Sequence, residues 1–219
     1  MKIKICGLFR NDDIDYVNAA TPDYAGFVFA EASRRRVSFN AAISLRGRLR
    51  DGIAPVGVFV NAAVGDIERL YLCGAIALAQ LHGDESEDYI KELKARCGIS
   101  VIKAVRMESA DDIKRAEMLS ADFLLLDNGK GGTGQAFDWS LIGNVGKPYF
   151  LAGGIGLHNI ADALKITPAP FALDISGGAE TDGVKNAVKI AALTTAVHGF
   201  RKNRRDDEII RPRVEETDI

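Results

Sequence analysis

Val101-Ile-Lys-Ala-Val105, Asp111-Asp-Ile-Lys-Arg-Ala-Glu-Met-Leu119 and Phe123-Leu-Leu-Leu126 follow one another within a single short stretch of the chain. The outer two are brief apolar runs of strand length, and the middle one has the apolar spacing and charged outer face of an amphipathic helix. Working outward, the same kind of apolar run recurs at Ile3–Cys6, Ala25–Phe29, Val56–Val60, Ile76–Leu81, Tyr149–Leu151 and Phe171–Ile175. Successive runs start roughly 20–30 residues apart, too far for hairpins and suited to strand–helix units. Asp66–Leu72 and Glu87–Ala95 are further amphipathic helices, and each run is expected to be separated from the next by a helical segment. Asp111 and Asp112 place negative charge at a helix start, and Gly98 stands where a helix end favours glycine. Eight alternations in 219 residues predict an α/β fold, a single closed (βα)8 barrel with eight parallel strands. An open doubly wound sheet would need fewer repeats and a glycine-rich fingerprint after the first strand, which is absent.

The barrel is expected to occupy residues 1–200, followed by a charged, flexible tail at 201–219 dominated by Arg, Lys, Asp and Glu. Hydrophobic residues make up 47% of the chain and charged ones 26%, enough apolar material for a sizeable core. A net charge of −2 offers no basic field for nucleic acid or anionic membrane, so any anion must be held locally. The three cysteines, Cys6, Cys73 and Cys97, are widely spaced with no CxxC pair, which argues against a disulfide framework or a metal site. The N-terminal stretch turns polar within a few residues, unlike a signal peptide, and no apolar run approaches the ~18 residues of a membrane span. These features predict a soluble, cytoplasmic protein.

Barrel chemistry sits at the C-terminal ends of the strands and in the loops beyond. That rule selects Cys6, His82, Asp127, Asp174 and Ser176, together with Arg34, Arg35 and Arg36 after the second strand. Strand parity puts Lys4 and Cys6 on the inward face, with Ile3 and Ile5 toward the helices. Asp174 and Ser176 share a face opposite Phe171, Leu173 and Ile175, and the first and eighth strands adjoin in a closed barrel. Lys4 and Asp174 are therefore expected to pair, since a buried ammonium needs a partner. A cation near Cys6 would favour its thiolate, making it a base or nucleophile; otherwise Cys6 is a small buried apolar residue. Gly131-Gly-Thr-Gly134, Gly153-Gly154 and Ser176-Gly-Gly178 follow strands six, seven and eight. One such pair is explained by a turn, but three on adjacent loops of one barrel face point to a phosphate held by backbone N–H groups.

Taken together and in order, Lys4-Ile-Cys-Gly7, Gln80-Leu-His-Gly83, Leu125-Leu-Asp127, Gly131-Gly-Thr-Gly134 and Leu151-Ala-Gly-Gly-Ile155 make the chain resemble the phosphoribosylanthranilate isomerases. Gly26-Phe-Val-Phe29 and Val56-Gly-Val-Phe-Val-Asn61 extend the likeness, which runs to about His198. The resemblance implies a TIM barrel that carries out an Amadori rearrangement in tryptophan biosynthesis, turning N-(5-phosphoribosyl)anthranilate into an aminodeoxyribulose phosphate. It implies Asp127 as general acid toward the ring oxygen and Cys6 as general base at the neighbouring sugar carbon. It further implies Arg35 at the anthranilate carboxylate and Asp174 near the amine, with Asp174 equally suited to a purely structural pairing with Lys4. His82 stands on the active face, in contact with substrate or fixing a loop. Gly132, Gly134, Gly153, Gly154, Ser176, Gly177 and Gly178 are the expected substrate-binding loop residues. The reaction calls for no metal and no organic cofactor, and the expected partner is the small phosphorylated substrate, with the protein a monomer or homodimer. His158 and His198 are expected on outer helices, away from the chemistry. The chain departs from the family at Ser176-Gly-Gly178, where Ser-Ser-Gly is common, and at Asn186, where aspartate is usual. Another phosphosugar barrel, or a barrel that binds a phosphometabolite without turning it over, is the rival reading; a pair of aspartates would mark the former, and loss of the acid or base the latter.

Overall fold

The computed structural model describes residues 1–128 and 137–210, with the backbone alone for 201–210. Eight parallel strands close on themselves in sequence order: β1 (Lys2–Cys6), β2 (Tyr24–Val28), β3 (Ala54–Phe59), β4 (Leu78–Leu81), β5 (Ser100–Arg106), β6 (Phe123–Asp127), β7 (Tyr149–Leu151) and β8 (Ala172–Ile175). The predicted (βα)8 barrel is the observed one. Closure pairs β1 with β8, setting Lys4 beside Asp174 in register.

The helices are α1 (Asn11–Ala20), α2 (Phe39–Arg48), α3 (Val64–Leu72), α4 (Glu87–Cys97), α5 (Asp111–Glu117), α6 (Ile160–Ala163) and α7 (Ala187–Ile210). α4 illustrates how the sequence writes its own limits. The Ser86 side chain accepts from the Tyr89 N–H, Glu87 and Asp88 fill the first turn, and Lys94 and Arg96 fill the last. Gly98 then ends the helix in the left-handed conformation, at φ 70°. Ile90 and Leu93 face the barrel, and the charges face out.

Two expectations about helices need correcting. Between β6 and β7 the described residues hold only a 3-10 turn, Trp139–Leu141, because Gly143, Gly146 and Pro148 follow it closely. His158 lies in a turn ahead of the short α6 rather than on a helix, whereas His198 does sit on α7 and meets Asp23 at 3.0 Å.

The core has two parts, divided by strand parity. Outward-facing Ile3, Ile5, Phe27, Leu81, Leu124 and Leu173 pack with the inner faces of the helices. Inward-facing Tyr24, Val56, Ile102, Leu125, Phe150 and Ala172 fill the barrel itself, with Cys6, Val28 and Val58 forming a smaller cluster above them. Phe171 does not join Leu173 and Ile175 against the helices. It stands one residue before β8, at the N-terminal end of the barrel, and packs there with Tyr24, Phe123 and Phe150. Among the described residues no helix is long and apolar enough to cross a membrane.

Candidate active site

The inward-facing residues change from apolar to ionisable toward the strands' C-terminal ends. Lys4 is fully buried and donates to both Asp174 carboxylate oxygens, at 3.0 and 3.1 Å, so the pair expected from parity is present. Burial works against the Lys4 charge, but Asp174 and Cys6 beside it hold its pKa above the ordinary value. Lys4 also donates to Gln80 Oε1 at 2.8 Å, and Gln80 Nε2 lies 3.0 Å from His82 Nδ1. His82 Nε2 in turn approaches Asp127 Oδ2 to 3.4 Å. Asp127 Oδ1 accepts from the Asn128 N–H at 2.7 Å, and the carboxylate is buried. A cavity of 470 Å³ opens beside this group, lined by His82, Glu85, Lys103, Ala104, Arg106 and Asp127. Its floor is braced by Lys103, which reaches Glu85 at 2.8 Å and the Gly83 carbonyl at 2.5 Å.

Cys6 occupies the end of β1 and is buried. The space for its sulfur is made by Gly26 on β2, where an added Cβ would lie 2.8 Å from Sγ. The neighbouring Lys4 was expected to favour the thiolate. Its pull is present, but burial outweighs it and Asp174 adds to burial, so the Cys6 thiol is pushed up rather than down.

Of the three loop arginines, only Arg35 turns into the mouth. Its side chain crosses Gly7, where a Cβ would meet Arg35 Cδ at 2.5 Å. Its Nε and Nη2 donate to Glu180 Oε1 and Oε2, at 2.6 and 2.7 Å. Arg34 is mostly exposed and touches Glu180 at 3.4 Å, and Arg36 pairs with the exposed Glu31. Glu180 begins a small hairpin, β9 (Glu180–Thr181) against β10 (Val184–Lys185), and is buried. Lys185 returns from that hairpin to Glu180 at 2.6 Å and to the Ser176 carbonyl at 3.1 Å. Burial lowers the Lys185 pKa, and Glu180 only partly restores it. Burial also acts on Glu180, but Arg35 and Lys185 outweigh it and hold the carboxyl below its ordinary value. Asn186, unusual for the family, accepts from the Lys189 N–H at 3.1 Å, so it caps the start of α7.

Gly153 and Gly154 follow β7 with φ of 82° and 64°, a conformation that strains other residues. A Cβ at Gly153 would also lie 2.8 Å from Asp127 Oδ1. Gly178 is required for another reason, since a Cβ there would come within 2.0 Å of the Ile155 carbonyl where the loops after β7 and β8 bridge at Gly156 and Gly178. Gly177 has no such neighbour. Ser176 donates to the Cys6 carbonyl at 3.1 Å, tying β8 to β1. Gly132 and Gly134 lie outside the described residues. The structure thus gathers Cys6, Arg35, His82, Asp127, Gly153, Gly154, Asp174, Ser176, Gly177 and Gly178 on one end of the barrel.

Several contributors were not singled out from sequence, among them Gln80, Gly26, Glu180, Lys185 and the Lys103–Glu85 pair. Gln80 had a usable signal, since it shares a strand face with His82 two residues on. Gly26 was marked only by the Gly26-Phe-Val-Phe29 motif, and Glu180 had no signal, since it meets Arg35 across 145 positions of chain.

Ionisable groups at the C-terminal mouth of a (βα)8 barrel, with glycine loops after β7 and β8, are the arrangement of a TIM-barrel enzyme. Residues 3–196 match the family model described as N-(5'phosphoribosyl)anthranilate (PRA) isomerase. The chain is 48% identical over 193 residues to the N-(5'-phosphoribosyl)anthranilate isomerase of Endomicrobium trichonymphae, covering 86% of this chain and 94% of that one. The crystal structure of phosphoribosyl anthranilate isomerase from Thermus thermophilus superposes with a TM-score of 0.81 at 33% identity, over 92% of this chain and 100% of the other. A phosphoribosyl anthranilate isomerase in complex with reduced 1-(o-carboxyphenylamino)-1-deoxyribulose 5-phosphate superposes with a TM-score of 0.78 at 30% identity, over 91% and 99%. The chain belongs to the N-(5'-phosphoribosyl)anthranilate isomerase family, and it is an isomerase.

Proposed function

We propose that this enzyme catalyses the Amadori rearrangement of N-(5-phosphoribosyl)anthranilate to 1-(2-carboxyphenylamino)-1-deoxyribulose 5-phosphate in tryptophan biosynthesis. Asp127 is the general acid: its proton goes to the ring oxygen, the ring C–O bond breaks and a Schiff base forms. Cys6 is the general base that takes the proton from the adjacent sugar carbon, and the resulting enolamine tautomerises to the ketone. The chemistry needs an acid and a base on separate sides of the substrate and calls on no metal. The observation that carries the reading is that Cys6 and Asp127 end β1 and β6, both facing the same mouth and well apart around its rim. Burial raises the Cys6 thiol pKa, so the base is the fraction present as thiolate, its proton already lost to solvent, and Lys4 beside it favours that fraction.

Arg35, oriented by Glu180, takes the anthranilate carboxylate with the guanidinium edge that Glu180 leaves open. Asp174 stands near the amine while holding Lys4. The phosphate is bound by the loops of Gly153, Gly154, Ser176, Gly177 and Gly178, joined by Gly132 and Gly134. Gly177 supports this assignment, since nothing in the packing around it requires a glycine. Residues 1–200 carry the activity as a monomer or homodimer in the cytoplasm. Expression in a tryptophan auxotroph lacking the isomerase is expected to restore growth without tryptophan. Soluble, well-expressed protein that does not restore growth would count against the assignment.

A further inference from the structure

A row of polar side chains crosses the barrel from β8 to β6: Asp174, Lys4, Gln80, His82 and Asp127. The donors and acceptors in it have only one consistent order. An ammonium has donors and no acceptor, so Lys4, 2.8 Å from the Gln80 amide, must meet its oxygen. The other end of that amide, an NH2 that only donates, is thereby turned to His82 Nδ1 at 3.0 Å. Reversing the buried amide would set NH2 against NH3+ and leave both unsatisfied. His82 Nδ1 therefore accepts, and the proton of the neutral ring sits on Nε2, the atom that faces Asp127.

We propose that Gln80, held by Lys4, is a positioning residue that fixes the His82 tautomer and so keeps an N–H aimed at Asp127. The inference rests on the reading of Asp127 as the acid. As Asp127 gives its proton to the ring oxygen, negative charge develops on its carboxylate. Oδ1 already accepts from the Asn128 N–H, and His82 Nε2 lies 3.4 Å from Oδ2, close enough for its N–H to complete a second hydrogen bond. With the other tautomer, Nε2 would turn a lone pair on the growing charge. The 3.4 Å separation is long for a hydrogen bond and leaves room for the contact to shorten as the charge appears.

The test is long-range 1H–15N NMR of the imidazoles in the full chain, with His158 and His198 assigned by substitution, alongside steady-state kinetics. Wild-type His82 is expected to carry its proton on Nε2. Gln80→Glu is nearly isosteric, but its carboxylate accepts from Lys4 and His82 alike, so Nδ1 becomes protonated. In that variant kcat is expected to fall by about tenfold or more with KM little changed, as when a catalytic imidazole is held in the wrong tautomer. Gln80→Met, which fills the space without directing either nitrogen, should give a mixture of tautomers and an intermediate kcat. An Nδ1–H ring in the wild type, or wild-type turnover in a Gln80→Glu variant whose His82 the NMR shows as a neutral Nδ1–H ring, overturns the proposal. Turnover of Asp127→Asn reports separately on the acid, so failure of that reading is distinguishable from failure of the tautomer.

Discussion

At the N-terminal end of the barrel interior, Tyr24, Phe123, Phe150 and Phe171 pack ring against ring, with centroids 5.5 Å apart for Tyr24–Phe150 and 5.0 Å for Phe123–Phe171. At the C-terminal end the barrel presents Cys6, His82, Asp127 and Asp174. β6 shows the contrast within one strand, beginning at Phe123 and ending at Asp127 on the same face. β1 repeats it: the Lys2 ammonium lies over the Tyr24 and Phe171 rings, whereas Lys4 is sunk among carboxylate and amide oxygens. Aromatic packing seals one end and supplies stability. The other end spends stability, since each buried charge there must be matched by a partner. The difference teaches that a barrel strand changes its job along its length, with parity held constant.

Substitution at either end tests that division. Asp127→Asn and Cys6→Ser are each expected to lower kcat by ~10²–10⁴-fold while leaving the urea midpoint near that of the wild type. Near-normal turnover in either variant removes that residue from its role. Phe150→Ala, at the sealed end, is expected to cost ~3–5 kcal/mol in urea unfolding, with kcat of the protein that remains folded changing far less. A large kcat loss at unchanged stability would erase the distinction between the ends.

The pH dependence sharpens the comparison on the polar side. A thiol whose pKa is raised stays protonated at neutral pH, and its thiolate fraction grows as pH rises toward that pKa. With the acid removed, in Asp127→Asn, residual kcat should therefore climb by about tenfold per pH unit from neutrality upward. A flat profile would mean that Cys6 is already a thiolate at rest. The smallest effect belongs to the rim: Glu180→Gln, which loosens Arg35, should raise KM by about tenfold with kcat nearly unchanged.

The strands were legible because spacing and parity are local properties, readable from Ile3 and Ile5 against Lys4 and Cys6. Closure then made the Lys4–Asp174 pair readable too, across 170 positions, because it follows from topology alone. What stayed hidden depends on loops or on competing terms. The grip of Glu180 on Arg35 arises where the β9–β10 hairpin folds back, and no periodicity encodes it. Phe171 left its expected face at the N-terminal end of the barrel, one residue before β8. The pull of Lys4 on Cys6 was readable because Lys4 is visible in the sequence as a charge, whereas the desolvation that outweighs it becomes visible only in the packed barrel.

That resting thiol has a consequence for the durability of the enzyme. Peroxide and disulfide reagents attack thiolates, so a buried thiol with a raised pKa presents little of the form they consume. Cys73 is exposed at the end of α3 and Cys97 is half-buried at the end of α4. Cys73 is the sulfur most open to a reagent in solution, and the chemistry does not use it.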